Sequence, residues 1–133
     1  MRSINKIIIH CSATPDGRVV SAAEIDKWHR QRGFAMIGYH YVIGLDGSVE
    51  KGRDETQVGA HCEGQNSISI GICYIGGLDH NGKPMDTRTT KQISAMHLLI
   101  RELKKKYPQA TIHGHNEFAR KACPCFNVKN EFK

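Results

Sequence analysis

The segment Ile4-Asn5-Lys6-Ile7-Ile8-Ile9-His10-Cys11 constrains this chain's fold more than any other stretch. Beyond Lys6 it is almost continuously apolar, whereas a strand with one solvated side alternates between apolar and polar residues. It therefore reads as a buried strand. His10 closes the run, and Ser12-Ala13-Thr14-Pro15-Asp16-Gly17 is turn chemistry, so the chain bends away just after it. A side chain at the end of a hydrophobic strand is held by the sheet and still reaches the surface. Catalytic groups on α/β scaffolds commonly stand there.

The remaining elements fall into place around that strand. Ser21 followed by Glu24 is a capping box; it opens a helix with Ile25, Trp28 and His29 on one face, closed by Arg32-Gly33. Residues 38 to 43 form a second strand, in which alternation puts Tyr39, Tyr41 and Ile43 on one face and His40 and Val42 on the other. Leu45-Asp46-Gly47 is a hairpin turn into a return strand over residues 48 to 53. Residues 54 to 67 are polar and glycine-rich, a surface loop with few groups to bury, and residues 69 to 75 form a third strong strand. Thr89 with Gln92 caps a second helix that runs to about Tyr107, with Ile93, Met96, His97, Leu99 and Ile100 toward the core. Pro108 stops it, and residues 111 to 113 form a short edge-like strand. The expected architecture is α/β: a single domain over residues 1–133 with a central mixed β-sheet flanked by helices.

Composition narrows the function classes. A chain of 133 residues with 39% hydrophobic and 24% charged residues suits one ordinary soluble domain. No apolar run approaches the ~20 residues that span a bilayer. The N-terminus lacks the apolar stretch and cleavage site of a signal peptide, so the expected localisation on synthesis is cytoplasmic. Five cysteines, an odd number at irregular spacing, are not a disulfide framework. Cys11 and Cys73 read as buried small hydrophobes. The formal charge of +6 favours a polyanionic partner, either nucleic acid or an anionic cell envelope. The chain carries no glycine-rich nucleotide loop and no nucleic-acid motif.

The C-terminal part carries metal-binding chemistry. His115 and Cys123 offer an imidazole and a thiolate, both of which zinc takes readily. Lys121 stands just before Cys123, where its ammonium can reach whatever the metal binds. Two ligands do not make a tight site, and His10 is the candidate third. Spacing alone does not single these three out in a chain with eight histidines. Read without further context, Trp28 is a packing anchor and Tyr39 a sheet aromatic. His61 is then a loop histidine, either exposed or turned to a ligand.

The stretch His113-Gly114-His115 through Lys121-Ala122-Cys123-Pro124 resembles the C-terminal signature of the zinc-dependent N-acetylmuramoyl-L-alanine amidases of the type 2 family. That family includes the amidase-type phage lysozymes, and the peptidoglycan recognition proteins are related to it. Further pieces follow in family order: His10, Trp28-His29 with Gly33-Phe34, Gly38-Tyr39-His40, Asp46-Gly47, Gly52-Arg53, Gly59-Ala60-His61 and Asn66-Ser67. The resemblance implies a peptidoglycan recognition protein-like fold with one zinc per chain on His10, His115 and Cys123. It also implies catalytic roles for Lys121 and Tyr39, and places His61, Asn66 and Trp28 at the substrate groove.

The implied reaction is hydrolysis of the amide between N-acetylmuramic acid and L-alanine in peptidoglycan or its fragments. The implied actor is a monomeric phage or prophage endolysin without a separate wall-binding domain, reaching the wall with holin assistance. Two other functions fit the same resemblance. One is a non-catalytic peptidoglycan-binding module, although such relatives lose the cysteine ligand and Cys123 is present here. The other is an amidase that also inhibits a phage RNA polymerase, which the positive charge permits. One departure stands out: Cys125 occupies a position where a small hydroxyl residue is usual. It brings a second thiol near the metal segment, as an alternative ligand or an oxidation liability.

Overall fold

The apolar run becomes an interior strand, second from one edge, of a five-stranded sheet in the computed structural model, which describes residues 2–133. The elements in chain order are β1 (Lys6–Cys11), β2 (Thr14–Pro15), α1 (Ala22–Gln31), β3 (Tyr41–Ile43), β4 (Val49–Lys51), β5 (Ser69–Tyr74), β6 (Gly77–Leu78), α2 (Thr90–Lys106), β7 (Thr111–Gly114) and α3 (Val128–Glu131). The sheet order is β4-β3-β5-β1-β7. β1 pairs in parallel with β5 on one side and β7 on the other, β3 pairs in parallel with β5, and only the β3–β4 hairpin is antiparallel. This is the mixed sheet with one hairpin that the sequence indicates. The two-residue strands β2 and β6, which pair with each other in parallel, carry no sequence signal above their turn composition.

Parallel strands require covering layers on both faces, and β1 supplies apolar surface to each. Ile7, Ile9 and Cys11 enter a cluster with Tyr41, Ile43, Ile70, Ile72 and Tyr74, covered by Met96, Ile100 and Leu103 of α2. The opposite face is smaller: Val42, Cys73 and Ile75 pack with Ile25 of α1, Val20 and Ile37. Ile8 and His10 alternate with the first set and so turn to the α1 side, both buried. Both helices begin with the anticipated capping boxes, Ser21 with Glu24 and Thr89 with Gln92. Gln92 does more than cap. Its buried side-chain amide donates to the carbonyls of Ile43 (3.2 Å) and Ile75 (2.9 Å), tying α2 to two adjacent strand ends.

Two expectations are corrected. Tyr39 does not share a face with Tyr41 and Ile43; it packs in the α1-side cluster with Val42. Residues 38 to 40 precede β3 and lie outside its regular pleat, so alternation counted back from Ile43 fails at Tyr39. The loop over residues 54 to 67 is also not free of buried groups, because His61 and Cys62 are both buried. Its polar composition hides one inward-turning turn.

Candidate metal centre and cleft

The site forms where the parallel strands end. His10 is next to last in β1, and β7 delivers the chain directly to His115 on the same edge of the sheet. Ligand atoms of His10, His115 and Cys123 lie within 4.8 Å of one another, the arrangement a single metal ion requires. His10 Nδ1 and His115 Nδ1 approach to 3.2 Å. The third donor, Cys123 Sγ, accepts the backbone N–H of Cys11 at 3.2 Å, a contact that helps fix its position. The sequence-based triad is therefore brought together in space, and this group can bind a metal ion.

The segment after β7 has little regular structure and is held by a few specific bonds. Glu117 accepts the backbone N–H of Gly114 at 2.7 Å and pairs with His113 Nδ1 at 2.8 Å, which fixes the turn carrying His115. The Tyr74 hydroxyl, deep in the core, donates to the Pro124 carbonyl at 2.7 Å and so anchors the residue beside Cys123. Cys125 points away from the triad. Its Sγ lies 3.3 Å from the Gly77 carbonyl and 4.0 Å from Cys11 Sγ, so it is outside the ligand group.

Burial sets the charge state of the imidazoles. It pushes His10 well below the usual histidine range, with neighbouring His61, His115 and Lys121 acting in the same direction. Burial and then Lys121 lower His115 as well. Both rings are neutral at pH 7, the form that coordinates metal. The Tyr39 ring stands 5.1 Å from that of His10 and 5.4 Å from that of His29. Burial, followed by the nearby thiols of Cys73, Cys123 and Cys11, holds its phenol well above the usual tyrosine value. Tyr39 is a hydrogen-bond donor at neutral pH and not a base.

Two lobes of a cleft, of about 720 and 260 Å³, meet at Tyr39, His115 and Lys121. Lys121 is exposed and lines both. Trp28 lines the smaller lobe beside Ser12 and Ala13 while also packing on the α1-side core, so anchor and cleft wall are one residue. Its ring carries the Arg18 guanidinium at 5.5 Å. His61 and Asn66 line the larger lobe, but their bonds run inward. Asn66 Oδ1 accepts the backbone N–H groups of His61 and Cys62, each at 2.9 Å, and His61 bonds to His10.

One contributor escaped sequence reasoning. His29 is buried, lines both lobes and accepts the Gly38 N–H on Nδ1 at 2.9 Å, which pins the backbone next to Tyr39. The signal lies in Trp28-His29 with Gly33-Phe34, where the histidine adjoins the tryptophan of the same resemblance.

Comparison with known proteins agrees with the geometry. The family profile described as N-acetylmuramoyl-L-alanine amidase matches residues 1–126. The endolysin of Klebsiella phage KP32 is 43% identical over 125 residues, spanning 94% of this chain and 83% of the relative. Among solved structures, the N-acetylmuramoyl-L-alanine amidase LysC from Clostridium intestinale URNW superposes with a TM-score of 0.83 at 30% identity, covering 98% of this chain and 82% of that one. Drosophila PGRP-LB superposes with a TM-score of 0.79 at 26% identity, covering 93% and 76%.

Proposed function

This chain belongs to the N-acetylmuramoyl-L-alanine amidase family, and from that premise we propose a specific assignment of its cleft. The cleft hydrolyses the amide between the lactyl group of N-acetylmuramic acid and the L-alanine of the peptidoglycan stem peptide, in the manner of a phage endolysin. One zinc ion is held by His10, His115 and Cys123. The observation that carries the assignment is the convergence of these three ligand atoms within 4.8 Å at the floor of a cleft that Lys121 and Tyr39 also line.

Two neutral imidazoles and one thiolate match the donor set of a catalytic zinc site with an open fourth position. A zinc ion held by these residues would supply Lewis acidity and would acidify water at the site toward a pKa of ~7. The chain's own groups do the rest. The Lys121 ammonium faces the cleft, where it can take the negative charge that develops on the amide oxygen. Stabilising charge as it forms is what lowers a barrier. Tyr39 keeps its proton and donates a hydrogen bond to the same region. Trp28 and the walls around His61 and Asn66 shape the groove for sugar and peptide. A holin-type lesion is the proposed route to the wall.

The test is a defined soluble muropeptide incubated with the protein as purified, after chelation, and after zinc is restored, with products followed by mass spectrometry. The expected product is a free stem peptide with L-alanine at its new amino terminus, lost on chelation and recovered with zinc. Intact substrate in the presence of one bound zinc per chain overturns the amidase assignment for that substrate, and retained muropeptide binding under those conditions would favour a recognition module.

A further inference from the structure

His10 has a second ring nitrogen, and its surroundings assign it a use. We propose that His61 is a positioning residue for the metal centre: with Ser69 and the Gln65 carbonyl, it fixes the ring of His10 so that a bare Nδ1 faces the metal position. The inference rests on the reading of His10 as a ligand given above.

The direction of every bond in this chain follows from its far end. A carbonyl oxygen only accepts, so the Ser69 hydroxyl, 2.7 Å from the Gln65 carbonyl, donates to it. A hydroxyl has a single proton. Toward His61 Nε2, 3.3 Å away, Ser69 Oγ can therefore only accept, and the proton of that contact sits on His61 Nε2. A neutral imidazole protonated on Nε2 presents a bare Nδ1. His10 Nε2 lies 2.8 Å from that atom and must donate to it. His10 then carries its proton on Nε2 and leaves Nδ1 free, and this is the atom that faces His115 Nδ1 at 3.2 Å. With both rings neutral, no other assignment satisfies all three contacts.

The seat of His61 is tight enough to hold this arrangement. A Cβ on Gly71 would stand 2.6 Å from the His61 ring, and one on Gly59 2.7 Å from it. Both glycines are required for the ring to lie where it does, one in β5 and one in the loop before His61. The two backbone amides at His61 and Cys62 are gathered by Asn66 Oδ1, so the turn cannot swing without breaking both. Ligand histidines commonly donate their other N–H to a carboxylate, carbonyl or water. Here the acceptor is a second imidazole, which passes the polarity on to a serine and a backbone carbonyl in the cleft-rim loop. A direct substrate role for either His61 nitrogen would require breaking this chain.

The test compares the wild type with His61→Leu, His61→Asn and Ser69→Ala. Zinc affinity is measured by competition with a chromophoric chelator, folding by circular dichroism, and imidazole protonation by nitrogen-15 NMR of the metal-free wild type at neutral pH. Loss of such a partner weakens metal binding by about 10- to 100-fold, the loss expected for His61→Leu. His61→Asn should recover most of it, because its amide oxygen falls near the position of Nδ1, and Ser69→Ala should fall between. The metal-free wild type should show His10 protonated on Nε2 with a slowly exchanging proton.

A folded His61→Leu variant that binds zinc within about threefold of the wild type overturns the inference. So does a His10 protonated on Nδ1. Should His61→Leu not fold, Ser69→Ala and the wild-type spectrum decide. A wild type that binds no zinc at all would instead defeat the reading of the metal centre, with the protonation pattern still readable.

Discussion

His10 and Cys123 reach the same point from opposite kinds of backbone. His10 stands next to last in a strand paired on both sides, its ring is buried, and both of its nitrogens have named partners. Cys123 and His115 sit on the irregular segment that follows the edge strand β7, anchored by Glu117 and Tyr74 and flanked by exposed Lys121. The strand-borne half sets where the centre is. The loop-borne half carries the Lys121 charge that lines the cleft. Rigid placement needs a sheet, whereas reach into a cleft needs a segment free to follow its own path.

The largest effects should come from removing a ligand from either half. His10→Ala and Cys123→Ala should each lose bound zinc, and with it several kcal/mol of transition-state stabilisation, about a thousandfold or more in activity. The halves should then separate in the metal-free protein. His10→Ala strands a buried nitrogen of His61 and should cost about 1–3 kcal/mol more in urea unfolding than Cys123→Ala. Equal costs would erase the distinction. Next in size, Lys121→Met should lower kcat by about 10²- to 10³-fold while zinc content and melting temperature stay unchanged. A variant that loses zinc as well would show that the loop half is structural.

Gly71→Ala comes third. Its methyl group would meet the His61 ring, which is clamped and cannot give way, so the expected cost is about 1–3 kcal/mol of stability with weakened zinc binding. The smallest effect near neutrality is that of pH. Burial lowers the folded pKa of His10, His29, His40, His61 and His115, that of His61 to about 3. The unfolded chain therefore binds more protons below ~6.5, and metal-free stability should fall as pH drops from there, continuing down toward pH 3. Melting temperatures at several pH values check this, and a flat profile down to pH 5 would contradict the neutral buried rings.

The strand-borne half was the more legible in sequence. Three consecutive isoleucines followed by histidine dictate burial and strand end together, and the capping boxes marked the start of both long helices. The ligand pairing of His115 and Cys123 was visible as spacing, but only the family resemblance selected these residues from the other histidines. What escaped had one physical reason: contacts made after the chain folds back across itself. Tyr39 lies just outside a pleat whose period was extended too far. His61 looked like a loop residue because its neighbours are polar, yet those neighbours, Gly59 and Asn66, are what seat it. Ser69 read only as the first residue of a strand.

His10 and His115 are separated by 105 residues, and the strand that delivers the second docks directly on the strand that carries the first. A chain emerging from the ribosome contains β1, β3 and β5 long before β7, so His10 is made well ahead of both partner ligands. On the proposed reading, hydrolysis switches on only when synthesis has passed Cys123 and the last strand has closed against β1. Incomplete chains are then inert by construction, which suits an enzyme whose target is the wall of the cell that makes it.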